Sequence, residues 1–181
     1  MKEIIKKDLY RYGCLSGKMG LLKGFTIPGF RFTYFHRKAS MTKNIYLKII
    51  YKFILRCLSY KYGFQIPTTV EIGEGFYIGH HGTIVINSKV KIGKNCNLAH
   101  LITIGQSNRG KKRGVPIIED NVWIGTGSVI IGKITIGTNS LIAPNSYVNF
   151  DVPPNSIVIG NPAKIVESED ATKNYIENIL K

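Results

Sequence analysis

The residues with the clearest potential for chemistry are three histidines in the middle of the chain. His80 and His81 are adjacent, and His100 follows one short segment later. An imidazole titrates near neutral pH, so it can take a proton from a hydroxyl group, and its neutral form is a common metal ligand. Consecutive side chains of a strand point to opposite faces, so His80 and His81 are not expected to share one metal or one role. For His36, far from this group, we expect a surface or hydrogen-bonded role.

A second group is the basic segment 106–117, with the sequence QSNRGKKRGVPI. Its four cations are Arg109, Lys111, Lys112 and Arg113. Two glycines and a proline interrupt regular structure here, and loops on rigid elements often carry function. We expect an extruded loop; a solvated basic turn without a ligand is the alternative.

The elements that must position these residues follow from a repeat of six. Aliphatic residues recur every six positions in three registers: Ile66, Ile72, Ile78 and Ile84; Ile86, Ile92, Leu98 and Ile104; and Ile118, Ile124, Ile130, Ile136, Ile142 and Val148. A helix repeats every 3.6 residues and a strand every two, so neither explains this pattern. A chain that turns a corner every six residues does explain it. The repeat predicts a mainly β, parallel β-helix of about four coils over 64–166, with the segment 106–117 extruded.

The flanking regions have a different character. Residues 1–63 contain 14 Lys and Arg against Glu3 and Asp8, which gives a net charge of +12 out of +14 for the chain. Helical spacing over 2–12 and 44–62 predicts a basic N-terminal helical region, and 167–181 predicts a short C-terminal helix or tail. No recognised nucleic-acid module accompanies the charge, so nucleic acid is not an expected partner. For the apolar and basic helix 44–62, packing against other subunits and binding to anionic lipid both remain open.

Cysteine usage and hydropathy indicate the compartment. Cys14, Cys57 and Cys96 are scattered and odd in number, which favours free thiols in a reducing compartment. The N-terminus has no apolar run followed by a cleavage site, and the most apolar stretch, 45–58, carries three cations. We therefore expect a cytoplasmic protein, with peripheral contact at the inner face of the membrane as an open alternative.

Five segments over 64–166 together resemble a known family. They are FQIP, IGEGFYIGHHGTIVIN, ITIG, VWIGTGSVIIG and VPPNSIVIGNPAKIV. In this order they are similar to the serine-acetyltransferase-like branch of the hexapeptide acyltransferases, which includes enzymes that acetylate polysaccharide sugars. The resemblance implies a left-handed β-helix, a homotrimer whose further pairing is open, and acetyl-CoA as co-substrate without a metal.

The resemblance also implies roles for single residues. A histidine after the segment IGxGxxI is the general base of the family, and the matching position is His80, with His100 as alternate base or substrate contact. The positions implied for contact with CoA are Gly105, Thr126, Gly127 and Ala143, with Lys164 or the cluster of Arg109, Lys111, Lys112 and Arg113 as partners of a CoA phosphate.

At three positions the chain departs from serine acetyltransferases. Gly79 replaces an Asp before the base, Ile66-Pro67 replaces a segment with a second Asp, and Val115 replaces a second active-site His. These departures predict a saccharide hydroxyl as acceptor, as in capsule, exopolysaccharide or O-antigen assembly, with serine as the alternative. Two competing hypotheses are a β-helical zinc carbonic anhydrase, which needs three convergent histidines, and a non-enzymatic basic binding module.

Overall fold

The computed structural model describes residues 2–180. Within that range, four helices precede a β-helix: α1 Glu3–Tyr10, α2 Gly17–Gly24, α3 Pro28–Met41 and α4 Ile45–Tyr62. The strands that follow are β1 Phe64–Gln65, β2 Glu71–Ile72, β3 Tyr77–Ile78, β4 Ile84–Ile86, β5 Lys91–Ile92, β6 Asn97–Leu98, β7 Ile102–Gly105, β8 Ile117–Ile118, β9 Trp123–Ile124, β10 Val129–Ile131, β11 Thr135–Ile136, β12 Ser140–Ile142, β13 Tyr147–Val148, β14 Ser156–Gly160 and β15 Ala163–Glu167.

These strands form three sheets, one for each side of the coil, and all strand pairs are parallel except β14 with β15. The first sheet has the order β1-β4-β7-β10-β13, the second β11-β8-β5-β2 and the third β15-β14-β12-β9-β6-β3. Across residues 2–180 this makes about five turns, one more than the repeat predicts. The additional turn runs through Val152, which pairs in parallel with Ile136, and through β14, which pairs with β12. Backbone pairing continues there although Pro153 and Pro154 interrupt the aliphatic repeat.

The repeated aliphatic side chains fill the interior of the coil. Residues in register stack in columns, and one column consists of Ile78, Leu98, Ile124, Ile142 and Val158. Every member of this column is at most 1% exposed. Burial of each such side chain stabilises the fold by about 1.5–3 kcal/mol, so the predicted repeat corresponds to the main core.

One line of corners uses asparagine rather than glycine. Asn95, Asn121, Asn139 and Asn155 have left-handed φ angles of 54–56°. Their side chains bond from coil to coil: Asn95 Nδ2 donates to Asn121 Oδ1 at 3.2 Å, and Asn139 Nδ2 to Asn155 Oδ1 at 2.7 Å. Asparagine tolerates this conformation and satisfies its own amide in the ladder.

The predicted C-terminal helix is wrong. Strand β15 turns back antiparallel to β14, and residues 168–180 form turns without a helix; Lys181 lies outside the described residues. Asn174 and Asn178 have φ angles of 64° and 55°, which a right-handed helix does not contain. Instead of forming its own helix, the segment places Ala171 against the outer face of the third sheet.

The helices confirm the predicted helical region and cover the first coil. The predicted helices over 2–12 and 44–62 correspond to α1 and α4, while α2 and α3 complete the region. Helix α3 contacts β3, and α4 contacts β1. All three cysteines are free. In the described part of the chain, no helix combines the length and apolarity needed to cross a bilayer.

Candidate functional site

His80 and His100 lie at the same corner of two neighbouring coils. Ile78 and Leu98 pair in register at the ends of β3 and β6, so the residues two positions later stack as well. The ring centroids of His80 and His100 are 5.6 Å apart, with an interplanar angle of 80°. His80 is exposed and His100 is half-buried. The coil therefore brings two imidazoles to one surface position.

The next coil adds Thr126 to this corner. Leu98 pairs with Ile124, which places Thr126 below His100 in the same column. The Oγ1 atom of Thr126 lies 3.4 Å from His100 Nδ1, and the N–H of Gly127 donates to the His100 carbonyl at 3.1 Å. His100 is thus held from the side opposite His80. We name this group of His80, His100 and Thr126 the histidine corner.

The strand that leads to His80 is fixed by the helical region. Strand β3 is the edge of its sheet, where backbone groups need partners from elsewhere. The Ile78 N–H donates to the Tyr12 hydroxyl at 3.0 Å, and that hydroxyl lies 3.4 Å from the Ile78 carbonyl oxygen. A Cβ on Gly29 would overlap the same carbonyl, so glycine lets α3 pack directly on this backbone.

A buried ion pair anchors the backbone that precedes β3. Arg37 Nε donates to Asp8 Oδ2 at 2.8 Å, and both side chains are almost fully buried. Arg37 also donates to the carbonyls of Ile72 and Gly73 at 2.5 and 2.6 Å. Burial raises the pKa of Asp8 above its ordinary value, against the opposing effect of Arg37. Because each charge has a partner, the pair holds the first coil without an uncompensated buried ion.

A second buried arginine acts on the same coil. Arg11 donates to the Gly75 carbonyl at 2.8 Å and to Asn97 Oδ1 at 2.6 Å. Burial lowers the pKa of the Arg11 guanidinium from its ordinary value. Sequence reasoning missed these anchors because Arg11 and Arg37 are not distinguishable there from the other cations of a basic region.

The remaining histidines lie outside the histidine corner. His81 is exposed. His36 is buried, its Nε2 lies 3.0 Å from the Pro67 carbonyl oxygen, and burial lowers its pKa to about 4. The expected hydrogen-bonded role of His36 is confirmed. Between residues 2 and 180, no three His, Cys, Asp or Glu side chains converge as metal ligands.

The structure brings only some of the predicted cofactor residues to this corner. Thr126 belongs to it and Gly127 is adjacent, and both are partly exposed, whereas Ala143 is buried beside Ala171. Gly105 is the last residue of β7, the central strand of the first sheet, where the chain enters the loop, and Lys164 is exposed on β15.

Residues 106–116 form the loop between β7 and β8, and Ile117, which the prediction includes in the loop, belongs to β8. Backbone bonds between Ser107 and Gly114, at 2.9 and 3.0 Å, close it at its base. Lys112 forms an ion pair with Asp151 at 3.4 Å. The hydrogen bond from the Thr135 N–H lowers the pKa of Asp151 below its ordinary value, and Lys112 lowers it to a smaller extent. The side chains of Arg109, Lys111 and Arg113 are exposed.

The three positions of departure have structural roles of their own. A Cβ on Gly79 would lie 3.3 Å from Tyr77 Cε1, so a larger side chain here requires a small shift of the Tyr77 ring. The Pro67 carbonyl accepts the bond from His36 in a turn after β1, and Val115 packs against the main core at the loop base.

Comparison with known proteins places the chain among acetyltransferases. The family described as bacterial transferase hexapeptide (six repeats) matches residues 116–149. A serine acetyltransferase of Bacillus licheniformis is 36% identical over 104 residues, which cover 58% of this chain and 48% of that protein. The chain spans 55–62% of the length of other curated relatives.

Solved structures agree over most of the chain. A serine acetyltransferase from Neisseria gonorrhoeae in complex with serine has 32% identity and a TM-score of 0.72, covering 91% of this chain and 68% of that chain. A serine acetyltransferase from Brucella abortus in complex with coenzyme A has 25% identity and a TM-score of 0.75, covering 91% and 67%.

These relatives correct the predicted acceptor. The predicted saccharide acceptor is wrong, because the relatives and solved structures named above are serine acetyltransferases, and they do not support the resemblance to polysaccharide acetyltransferases. The prediction depends on three polar residues that this chain lacks. The absence of a residue excludes one way of binding a ligand but does not identify the ligand that is bound. The chain belongs to the hexapeptide-repeat acyltransferases and, within them, is serine-acetyltransferase-like.

Proposed function

We propose that this chain is a serine O-acetyltransferase that transfers the acetyl group of acetyl-CoA to the hydroxyl of L-serine, with His80 as general base. The observation that carries this proposal is the histidine corner, where His80 and His100 lie with ring centroids 5.6 Å apart on adjacent coils. The relatives in complex with serine and with coenzyme A support the acceptor and the donor.

The reaction needs one proton acceptor and no covalent enzyme intermediate. His80 takes the proton of the serine hydroxyl as its oxygen attacks the thioester carbonyl carbon. The tetrahedral intermediate then expels the CoA thiolate, which receives that proton from the imidazolium. The products are O-acetylserine and CoA. Proton transfer by a positioned base contributes about 10²- to 10⁴-fold to such a rate.

His100 is proposed as a substrate contact, with a base role as its alternative. Its Nδ1 lies 3.4 Å from Thr126 Oγ1, which restrains the ring, and the centre of the ring lies 5.6 Å from that of His80. A restrained imidazole can orient a hydroxyl between the two rings, while the exposed His80 has room to accept the proton.

For the donor, we propose that CoA contacts Thr126 and Gly127, beside the histidine corner. Small residues let a ligand approach the backbone. Phosphate contacts are proposed for the exposed cations of the loop and for Lys164. Gly105 and Ala143 are proposed to contact CoA through their backbone atoms. Lys112 can contact a CoA phosphate only after its ion pair with Asp151 breaks. Because these groups lie far apart on one chain, the proposal includes a homotrimer whose neighbouring subunit completes the site.

The acceptor assay uses four small hydroxyl compounds. Release of CoA thiol from acetyl-CoA is measured with L-serine, D-serine, ethanolamine and 3-hydroxypropionate. We expect turnover with L-serine to exceed that with the others, since ethanolamine lacks the carboxylate and 3-hydroxypropionate lacks the amine. Thiol release that does not rise when L-serine is added would overturn the proposal. Sedimentation velocity tests the trimer, which a monomeric mass at assay concentration would contradict.

A further inference from the structure

The outward face of α4 is an exposed apolar stripe. Helix α4 packs against the rest of the molecule through Leu55, Leu58 and Tyr62, which are buried. The opposite side carries Tyr46, Phe53 and Tyr60, with 76%, 68% and 75% of their surface exposed. The further exposed apolar residues of this stripe are Ile45, Ile49 and Ile50. Helical spacing places all six on one side, so the stripe is continuous.

Cations border this stripe. Lys48, Lys52 and Arg56 are four residues apart, which sets them in one row along the helix, and Lys61 follows near its end. The guanidinium of Arg56 lies 5.5 Å from the centre of the Tyr60 ring and donates to its hydroxyl at 3.0 Å. Helix α4 contains no acidic residue. An apolar stripe with a row of cations along its edge has the composition of a helix that lies in a membrane interface.

Charge decides between the occupants that this face could take. A second copy that used the same face in a two-fold dimer would bring two rows of cations together, which opposes that pairing. The two acidic residues of 1–63 are already engaged, Asp8 with Arg37 and Glu3 with Lys6. An anionic surface with an apolar layer beneath it complements both the row and the stripe.

We propose that the outward face of α4 docks the protein on an anionic lipid bilayer. The helix lies in the plane of the surface, with its isoleucines and aromatic rings at the level of the head groups and acyl chains. The cations contact lipid phosphates. This inference is independent of the proposed acetyl transfer, because α4 does not contribute to the histidine corner.

Vesicle flotation of the full chain tests the electrostatic part. We expect flotation with vesicles of phosphatidylcholine mixed with phosphatidylglycerol, little with pure phosphatidylcholine, and loss of binding at high salt. The triple variant Lys48→Gln, Lys52→Gln and Arg56→Gln should lower the partition coefficient about a hundredfold, on the order of fivefold per cation. The control variant Lys89→Gln, Lys91→Gln and Lys133→Gln removes the same charge from the β-helix and should bind like wild type.

A second variant tests the apolar part. Ile49→Ser with Phe53→Ser should abolish flotation at low salt while the melting temperature and the oligomeric mass stay unchanged, since both side chains point outward. Equal flotation of both charge variants would overturn the proposal, as would binding that ignores lipid charge. Failure of wild type to float, with a lower oligomeric mass for the serine variant, would identify the face as a subunit interface instead.

Discussion

The β-helix and the helical region are stabilised by different kinds of contact. In the β-helix, apolar side chains in register stack in columns such as Ile78 on Leu98, and each coil repeats the contact of the last. In the helical region, buried polar groups make contacts that occur once, such as Arg37 with Asp8 and with the backbone before β3. The two kinds of contact meet at β3, just before His80. The site therefore depends on a repeated core from one side and on single polar anchors from the other.

The largest expected effect comes from breaking the buried ion pair. Arg37→Ala leaves Asp8 buried and uncompensated, which should lower the free energy of unfolding by about 3–5 kcal/mol. Arg56→Ala removes an exposed arginine of α4 and should change it by less than about 0.5 kcal/mol. Urea denaturation of both variants measures the difference; equal effects would show that the pair does not anchor the first coil.

The repeated core is tested by Ile130→Ala in the fourth coil. Ile130 is fully buried, so the cavity should cost about 2–5 kcal/mol. Ile117→Ala is the matched control, because Ile117 is 47% exposed and should cost far less. Equal denaturant midpoints for the two variants would show that burial in the column of aliphatic side chains does not stabilise the β-helix.

The helical region should also give the protein a pH dependence through His36. Burial lowers its pKa to about 4, below the ordinary value of about 6.5, so the unfolded chain binds the proton first as pH falls. The stabilisation, about 3 kcal/mol, is fully present above pH 6.5 and is lost as pH falls toward 4. His36→Gln should flatten the stability curve in this window. If the free energy of unfolding of the variant changed with pH as steeply as that of wild type, His36 would not be the group that titrates in this window.

A smaller effect is expected where the two regions meet. Tyr12→Phe removes the hydroxyl that accepts the Ile78 N–H, at a cost of about 0.5–1.5 kcal/mol. Since Ile78 precedes the site by two residues, thiol release should fall as well. Tyr10→Phe on the neighbouring surface is the control, and an equal loss in both variants would argue against a positioning role for Tyr12.

The sequence predicts the β-helix well because its contacts are periodic. The six-residue repeat identifies the inward residues, and the register that follows brings His100 to the coil next to His80. The fifth turn was missed because Pro153 and Pro154 hide the repeat while Val152 still pairs with Ile136.

Contacts without a period could not be predicted. Nothing in the spacing of Asp8 and Arg37 marks them as partners, and Tyr12 and Gly29 resemble any residues of an amphipathic segment. The acceptor was misjudged for a related reason. Gly79 and Val115 show which polar groups are missing, and missing groups do not identify the acceptor.

The most direct test of His80 as general base measures thiol release from acetyl-CoA with L-serine by the variant His80→Ala. The adjacent control is His81→Ala. We expect His80→Ala to lower kcat/KM by about 10²- to 10⁴-fold, while His81→Ala, which lies outside the histidine corner, should change it by less than about threefold. Near wild-type turnover by a folded His80→Ala variant would show that His80 is not the general base and would transfer that role to His100.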